Sequence, residues 1–270
     1  MAKITDQDRQ IYFERVKEYK AVAKAVLKTE KDLVVESKKS EPDAIMKKLD
    51  LADEMLNLAS LYIAISGVSQ AVLKVKNEEA LNDARKTLYK AVMYLEDTVS
   101  NYIDVPFSDY AKKLAAIEIF DENQRYNLIR KMGFAIDLIE QAYGDNSKWR
   151  WTFVELEGRF ATVAKNMIDL KNVLVNKAPE SPYYDSTVYH LRLIKKLLTQ
   201  AADRNREKYE LSTGQTLDFK TSISFLGALK RLHTVLAEAE EAEEIKKKIV
   251  IWSAKLDTDI KKQEEAKKRL

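Results

Sequence analysis

The sequence predicts an all-α protein of eight or nine mostly long helices, arranged as an antiparallel bundle or as a solenoid-like stack of helical hairpins. Apolar residues recur at intervals of three and four along almost the whole chain, which is the period of a helix with one buried face. Only 6 Gly and 4 Pro occur among 270 residues, so the backbone has few places to turn sharply. Long helices joined by short loops place successive helices antiparallel to one another.

The first 105 residues are predicted to hold three long helices. Thr5 and Asp8 have the spacing of a capping box at the start of the first. Ser40 is the predicted N-cap of the second, with Pro42 in its first turn, where a missing N–H costs nothing. Asn77 is predicted to cap the third, whose apolar residues follow a seven-residue repeat suited to bundle packing: Leu81, Leu88, Val92, Leu95, Val99 and Tyr102.

The rest of the chain is predicted to hold five or six helices, over about 108–120, 121–143, 149–178, 186–213, 219–236 and 240–262. Asp121 is a predicted N-cap, residues 145–147 are a predicted turn and cap, and Gly144 and Gly214 are predicted helix ends. The helix after Ser147 carries one long apolar stripe, formed by Trp149, Phe153, Leu156, Phe160, Val163, Met167, Leu170 and Leu174.

Proline positions indicate where one packed unit gives way to another. Pro106 follows the third predicted helix, and Pro179 and Pro182 follow the Trp-bearing helix. We predict two lobes, an N-terminal three-helix lobe over 1–105 and a C-terminal helical lobe over 106–270. A single elongated unit is the alternative.

The segment from Met55 to Leu73 has no charged residue, and its length is close to the ~20 residues that span a bilayer. It contains five polar side chains and lies within a longer amphipathic pattern. We therefore predict a central core helix rather than a membrane span.

The amino-acid composition excludes several kinds of site and ligand. The absence of Cys excludes disulfides, thiolate metal sites and a cysteine nucleophile. The 46 basic and 43 acidic residues nearly balance, which gives no global attraction to nucleic acid or anionic lipid. The first residues carry charge and no apolar signal core, so a cytoplasmic location is expected unless a leader was removed.

The sequence lacks the usual catalytic and cofactor motifs of helical proteins. His190 and His233 are the two histidines, and Thr187 and Lys230 stand three residues before them, so neither forms the Glu-x-x-His pair of a helical di-iron site. We expect both to be satisfied, partly buried side chains. No glycine-rich phosphate loop is present. The sequence therefore predicts a protein that is not an enzyme and that holds no metal or cofactor.

One short region is similar to a known repeat. Residues 229–242 have a Leu, a ring-bearing position four residues on and a small residue nine beyond that, as in the middle of a tetratricopeptide (TPR) hairpin. Lys230 stands where that repeat has a small residue, and the similarity covers about one repeat. It implies a turn near Ala237.

Residues 147–160 form the most unusual local sequence, because two of the three Trp residues lie in one helical turn. Trp151 is about 200° around the helix from Trp149 and points to a second neighbour or to solvent. Trp and Arg are enriched in interaction hot spots, and Gly158 admits a close neighbour or a bulky group. The predicted partner-binding residues are Trp149, Arg150, Trp151, Gly158 and Arg159. A helix buried on two sides is the alternative.

These patterns favour a non-enzymatic scaffold or adaptor that binds a protein partner or a second copy of itself. The alternative is a helical binder of nucleic acid or another anionic ligand through a basic and aromatic patch around Arg150 and Arg159. Nucleic acid is the less favoured ligand, because the basic blocks at 246–248 and 261–269 are offset by neighbouring acidic residues.

Overall fold

The computed structural model describes residues 4–38, 43–144 and 147–268. Within them the protein is all-α, as predicted, with ten helices of which eight are long and no strand. The helices are α1 (Asp6–Glu36), α2 (Asp43–Leu73), α3 (Glu78–Thr98), α4 (Ala111–Ala115), α5 (Glu122–Tyr143), α6 (Arg150–Met167), α7 (Val173–Asn176), α8 (Tyr184–Lys208), α9 (Thr216–Val235) and α10 (Ala239–Lys268). The predicted cap at Ser40 and Pro42 and the predicted turn at 145–146 lie outside the described residues.

The helices form two compact units whose segments interleave along the chain. The first comprises Met1–Ser100, Lys113–Phe120 and Asn127–Arg150, and the second Asn101–Lys112, Asp121–Tyr126 and Trp151–Leu270. Residues 127–150, which belong to the predicted C-terminal lobe, thus group with the N-terminal helices. The lobe boundary at 105/106 stays a prediction.

In the first unit α2 packs against both α1 and α3. The predicted capping box is present, since the Asp8 N–H donates to Thr5 Oγ1 at 3.1 Å and the Thr5 N–H donates to Asp8 at 2.9 Å. The Asn77 side chain caps α3 through the Ala80 N–H. The seven-residue repeat of α3 is completely buried through Val99. Its last predicted member, Tyr102, is 56% exposed, because α3 ends at Thr98 and the chain changes direction before it.

Among the described helices, one is long and apolar enough to cross a membrane: Ala44–Leu73, with a mean hydropathy of 1.5 and 33% of its apolar window buried. Residues Leu49 to Ala59 supply most of its buried side chains, while the later turns are half-buried around Ile65. Its contacts with α1 and α3 agree with a core helix. The choice between core and membrane helix stays a prediction.

In the second unit α9 packs against both α8 and α10, around Phe219, Phe225 and Leu198. Gly214 ends the α8 segment in the left-handed conformation that favours glycine (φ 58°), and Gly144 ends α5 in the same way (φ 80°). A turn separates α9 from α10 at Ala237, where the TPR-like pattern implies one. The TPR resemblance itself stays a prediction.

Two predicted helices are shorter than expected. The 108–120 segment is α-helical only over Ala111–Ala115. The Trp-bearing helix ends at Met167, because the Asp169 side chain accepts the Lys171 N–H at 2.9 Å, a local turn that competes with helical hydrogen bonds. Leu174, the last residue of the predicted apolar stripe, is consequently 65% exposed.

Gly227 makes room for a solvent-exposed ion pair of the second unit. The Asp104 carboxylate accepts the Arg231 Nε–H at 2.9 Å. A Cβ at position 227 would overlap that carboxylate, and the overlap extends to Asp104 Cγ. The position of Asp104 therefore depends on the missing side chain on α9.

Candidate binding cleft

The five residues predicted to bind a partner divide between the two units. In the first, Trp149 is half-buried in the turn before α6, with the Arg85 guanidinium 4.3 Å above its ring centre and the Tyr143 ring at 6.4 Å. Those groups cover its ring from within the unit. Arg150 is the exposed first residue of α6.

In the second unit, Trp151 and Arg159 are half-buried and Gly158 is buried. A Cβ at Gly158 would lie 3.1 Å from Phe225 Cζ, so this glycine receives a bulky group, and that group comes from α9 of the same unit. The assignment of these five residues to a partner surface stays a prediction, and the position of Gly158 adds no support to it.

A cleft of about 380 Å³ lies elsewhere in the second unit, along one face of α8. The chain between α7 and α8 forms one wall, and Glu238, in the turn between α9 and α10, closes the other side. Such a volume is within the range of ligand pockets. We call it the α8 cleft; it is lined by Lys177, Pro179, Tyr184, Val188, Leu191, Arg192, Lys195 and Glu238.

The charged groups of the α8 cleft are three cations and one anion. Glu238 is engaged within the unit, because Lys195 Nζ donates to its two carboxylate oxygens at 2.6 and 2.7 Å and His233 Nδ1 lies 2.6 Å from Oε2. Burial raises the pKa of Glu238, but the hydrogen bonds from Lys195 and His233 outweigh burial and hold that pKa below the ordinary glutamate value. This network joins α8 to the α9–α10 turn.

Replacing Glu238 with Gln is expected to lower the free energy of unfolding by about 1–2 kcal/mol near neutral pH, since charged hydrogen bonds are lost. A folded-state pKa below the ordinary 4.5 means that this contribution is complete above pH 4.5 and is lost as the pH falls through the folded-state value. Thermal unfolding of wild type, Glu238→Gln and the exposed control Glu240→Gln at neutral and acid pH measures this. An unchanged gap between wild type and Glu238→Gln in acid would contradict it.

Exposed apolar residues lie close in the chain to one wall of the α8 cleft. Tyr184, Val188 and Leu191 line the cleft from α8, with Leu191 buried and Tyr184 exposed. Leu174 and Val175 on α7 are 65% and 69% exposed. They come shortly before Lys177, which lines one wall of the cleft. Cationic and exposed apolar groups thus occur together on this part of the second unit.

A second cleft, of about 330 Å³, lies on the other side of the same turn, between α9 and α10. Its charged groups are Lys230, Lys246, Glu238 and Glu243, so its charges balance. Lys246 is also paired with Glu243 at 3.0 Å. The two clefts are similar in size but differ in charge balance, so the second cleft serves as a comparison for the α8 cleft.

A buried polar network lies at the start of α5, in the part of that helix that belongs to the second unit. His190 is completely buried, with Nδ1 2.9 Å from Glu122 Oε1 and Nε2 3.0 Å from the Ala164 carbonyl oxygen. A carbonyl oxygen only accepts, so Nε2–H donates to Ala164, and Nδ1 is the ring atom that faces the Glu122 carboxyl group. Arg125 lies 4.0 Å from the other carboxylate oxygen. His190 and His233 are thus both satisfied, as expected from the sequence.

Lys165 is a second buried charge, 5% exposed on α6. Its Nζ lies 5.1 Å from the ring centre of Tyr110. Burial lowers the pKa of Lys165 from the ordinary 10.5 to about 8; Asp104 opposes that shift and Arg231 adds to it. Within residues 4–38, 43–144 and 147–268, no group of three or more His, Asp or Glu side chains is placed to hold a metal ion.

Sequence reasoning missed the α8 cleft. Part of its signal is present, since Tyr184, Val188 and Arg192 are spaced four apart on α8 and form one mixed apolar and basic face. Lys177 comes from the loop just before α8, whereas Glu238 comes from a turn far along the chain, and their meeting depends on tertiary packing.

The fold and the cleft define an all-helical protein with a mixed basic and apolar cleft. The chain belongs to the TP0443 family, whose model matches residues 8–260. Among curated proteins, no sequence matches this chain. One solved structure, described as "Computational Design of Self-Assembling Cyclic Protein Homooligomers", is 15% identical over 96% of this chain and 99% of its own, with a TM-score of 0.29. A TM-score this low carries no inference about fold or assembly.

Proposed function

We propose that this protein is a non-enzymatic helical adaptor that binds a protein partner through the α8 cleft and the adjoining surface of α7. The observation that carries the proposal is the joint occurrence of the cations Lys177 and Arg192 with the exposed apolar pair Leu174 and Val175. Protein interfaces combine an apolar centre with a polar rim, and Arg and Tyr are enriched in them. The proposal takes the protein to act in the cytoplasm, with α2 as a core helix.

The test compares capture of proteins from extract by the immobilised chain at about 0.15 M and about 0.5 M salt, where screening of exposed charges differs strongly. The apolar part of the interface should retain the same partner at both salt concentrations. The double variant Leu174→Ser/Val175→Ser is expected to lose that partner. The matched control is Leu211→Ser/Leu217→Ser, because both residues are 68% exposed, in the same unit and outside the cleft lining.

Two results would contradict the proposal. If the α7 variant (Leu174→Ser/Val175→Ser) and the control capture the partner equally well, the α8 cleft is not the binding site. Retention of nucleic acid alone, falling steeply with salt and lost in Arg150→Glu, would favour the anionic-ligand alternative. Light scattering of the purified chain at several concentrations tests whether the partner is a second copy.

A further inference from the structure

We propose that the partner segment in the α8 cleft is acidic and amphipathic, with carboxylates on Lys177 and Arg192 and an apolar side chain against Val188 and Leu191. This inference rests on the proposed adaptor function and adds the chemistry of the partner. The occupant is a peptide segment of another protein.

The argument from charge begins with the cations that remain after internal pairing. Lys195 is held by Glu238, which also contacts His233. For Lys177 and Arg192, no carboxylate lies within 4.0 Å in the described part of the chain. Two cations without an internal counter-charge attract an anion, and a guanidinium accepts a carboxylate through two parallel hydrogen bonds.

The α8 cleft is more basic than the chain as a whole. The α8 cleft carries three basic groups and one acidic group, whereas the chain as a whole has a formal charge of only +3 over 270 residues. The second cleft, of similar volume, has two groups of each sign. Electrostatic attraction of an acidic ligand is therefore directed to the α8 cleft rather than spread over the surface.

The apolar lining argues for a peptide rather than a nucleic acid strand. Val188, Leu191 and Pro179 are aliphatic and accept an aliphatic side chain. A nucleic acid groove follows the phosphate backbone with a continuous row of cations, whereas here the Glu238 carboxylate lies beside the cations. A volume of about 380 Å³ accepts one or two side chains.

The experiment measures fluorescence anisotropy of labelled synthetic probes with the full chain. The main probe is a peptide of about ten residues that alternates Glu with Leu, with an acidic residue and an apolar residue within reach of the cleft. The comparison probes are a Glu and Ser peptide, a Lys and Leu peptide and a single-stranded DNA of equal length. We expect the Glu and Leu peptide to bind most tightly.

Charge reversal locates the binding. The double variant Lys177→Glu/Arg192→Glu is expected to weaken binding of the Glu and Leu peptide by about tenfold or more, since two charge pairs become repulsive. The control Lys220→Glu/Lys247→Glu changes the net charge equally at exposed positions outside both clefts and should weaken binding less than about threefold. Circular dichroism and thermal unfolding show whether each variant remains folded.

Failure of this inference is distinguishable from failure of the proposed function. If the α7 variant abolishes partner capture but the Glu and Leu peptide does not bind, or binds equally well to the charge-reversed variant, the adaptor stands and the acidic partner is wrong. Tighter binding of DNA than of every peptide would overturn both. Equal effects of the two charge-reversed pairs would show general attraction and would also overturn the inference.

Discussion

His190→Leu is expected to lower the free energy of unfolding by about 3–5 kcal/mol, because it removes the hydrogen-bonding partner of the buried Glu122 carboxyl group and of the Ala164 carbonyl. The Glu122 carboxyl group then stays buried without its His190 partner, with Arg125 at 4.0 Å, and the Ala164 carbonyl loses its donor. Burial of an unpaired polar group costs far more than the pair itself contributes. The helices tied together by His190 should therefore lose much of their stability.

A double-mutant cycle in urea checks this expectation. Glu122→Gln removes the carboxyl group that His190 faces, so the double variant should cost less than the sum of the single variants by about 2 kcal/mol. Lys196→Ala, exposed on the same helix, is the control and should change stability by less than about 0.5 kcal/mol. Strict additivity of the two substitutions would show that the His190–Glu122 pair is not the source of the effect.

Lys165→Met is expected to raise the free energy of unfolding by about 3 kcal/mol at neutral pH, since a pKa of about 8 against the ordinary 10.5 records the cost of a buried charge. Below pH 8 the amine is protonated in both the folded and the unfolded chain, and the cost is complete. Between pH 8 and 10.5 the unfolded chain binds more protons at this site, so wild-type stability rises with pH. The advantage of the Met variant should fade over that range.

Denaturant titrations of the two proteins between neutral and alkaline pH measure the difference in their free energies of unfolding. The other Lys and Tyr groups titrate in both proteins, so their contribution cancels in that difference. The control Lys196→Met removes an exposed amine on α8 and should show no pH-dependent gain. A Lys165→Met protein that is less stable than wild type at neutral pH would show that Lys165 makes a favourable buried interaction instead.

Local signals predicted the helix ends well and the helix neighbours poorly. Thr5, Asn77 and Gly214 act within a few residues of themselves, so their capping roles are readable from sequence. Leu174 follows the helical period of the residues before it, yet the turn at Asp169 ends α6 and places Leu174 beyond that helix. Periodicity identifies apolar residues but does not reveal where a competing side-chain hydrogen bond ends the helix.

The candidate site was less predictable, because it is made by tertiary contacts. Lys177 and Glu238 are separated by all of α8 and α9, and no spacing rule joins them. His190 was expected to be satisfied, but its partner Glu122 is 68 residues away and could not be named. Composition predicted a partner surface around Trp149, but Arg85, far earlier in the chain, covers the Trp149 ring.

The space that a side chain at position 227 would fill is already occupied by the Asp104 carboxylate. Any side chain at position 227 displaces the Asp104 carboxylate and with it the pair to Arg231. Because Asp104 and Arg231 are both exposed, the carboxylate has solvent to rotate into, so a side chain at 227 is expected to break this pair at little cost to folding. Positions 104 and 227, 123 residues apart in sequence, are thus coupled through one surface ion pair.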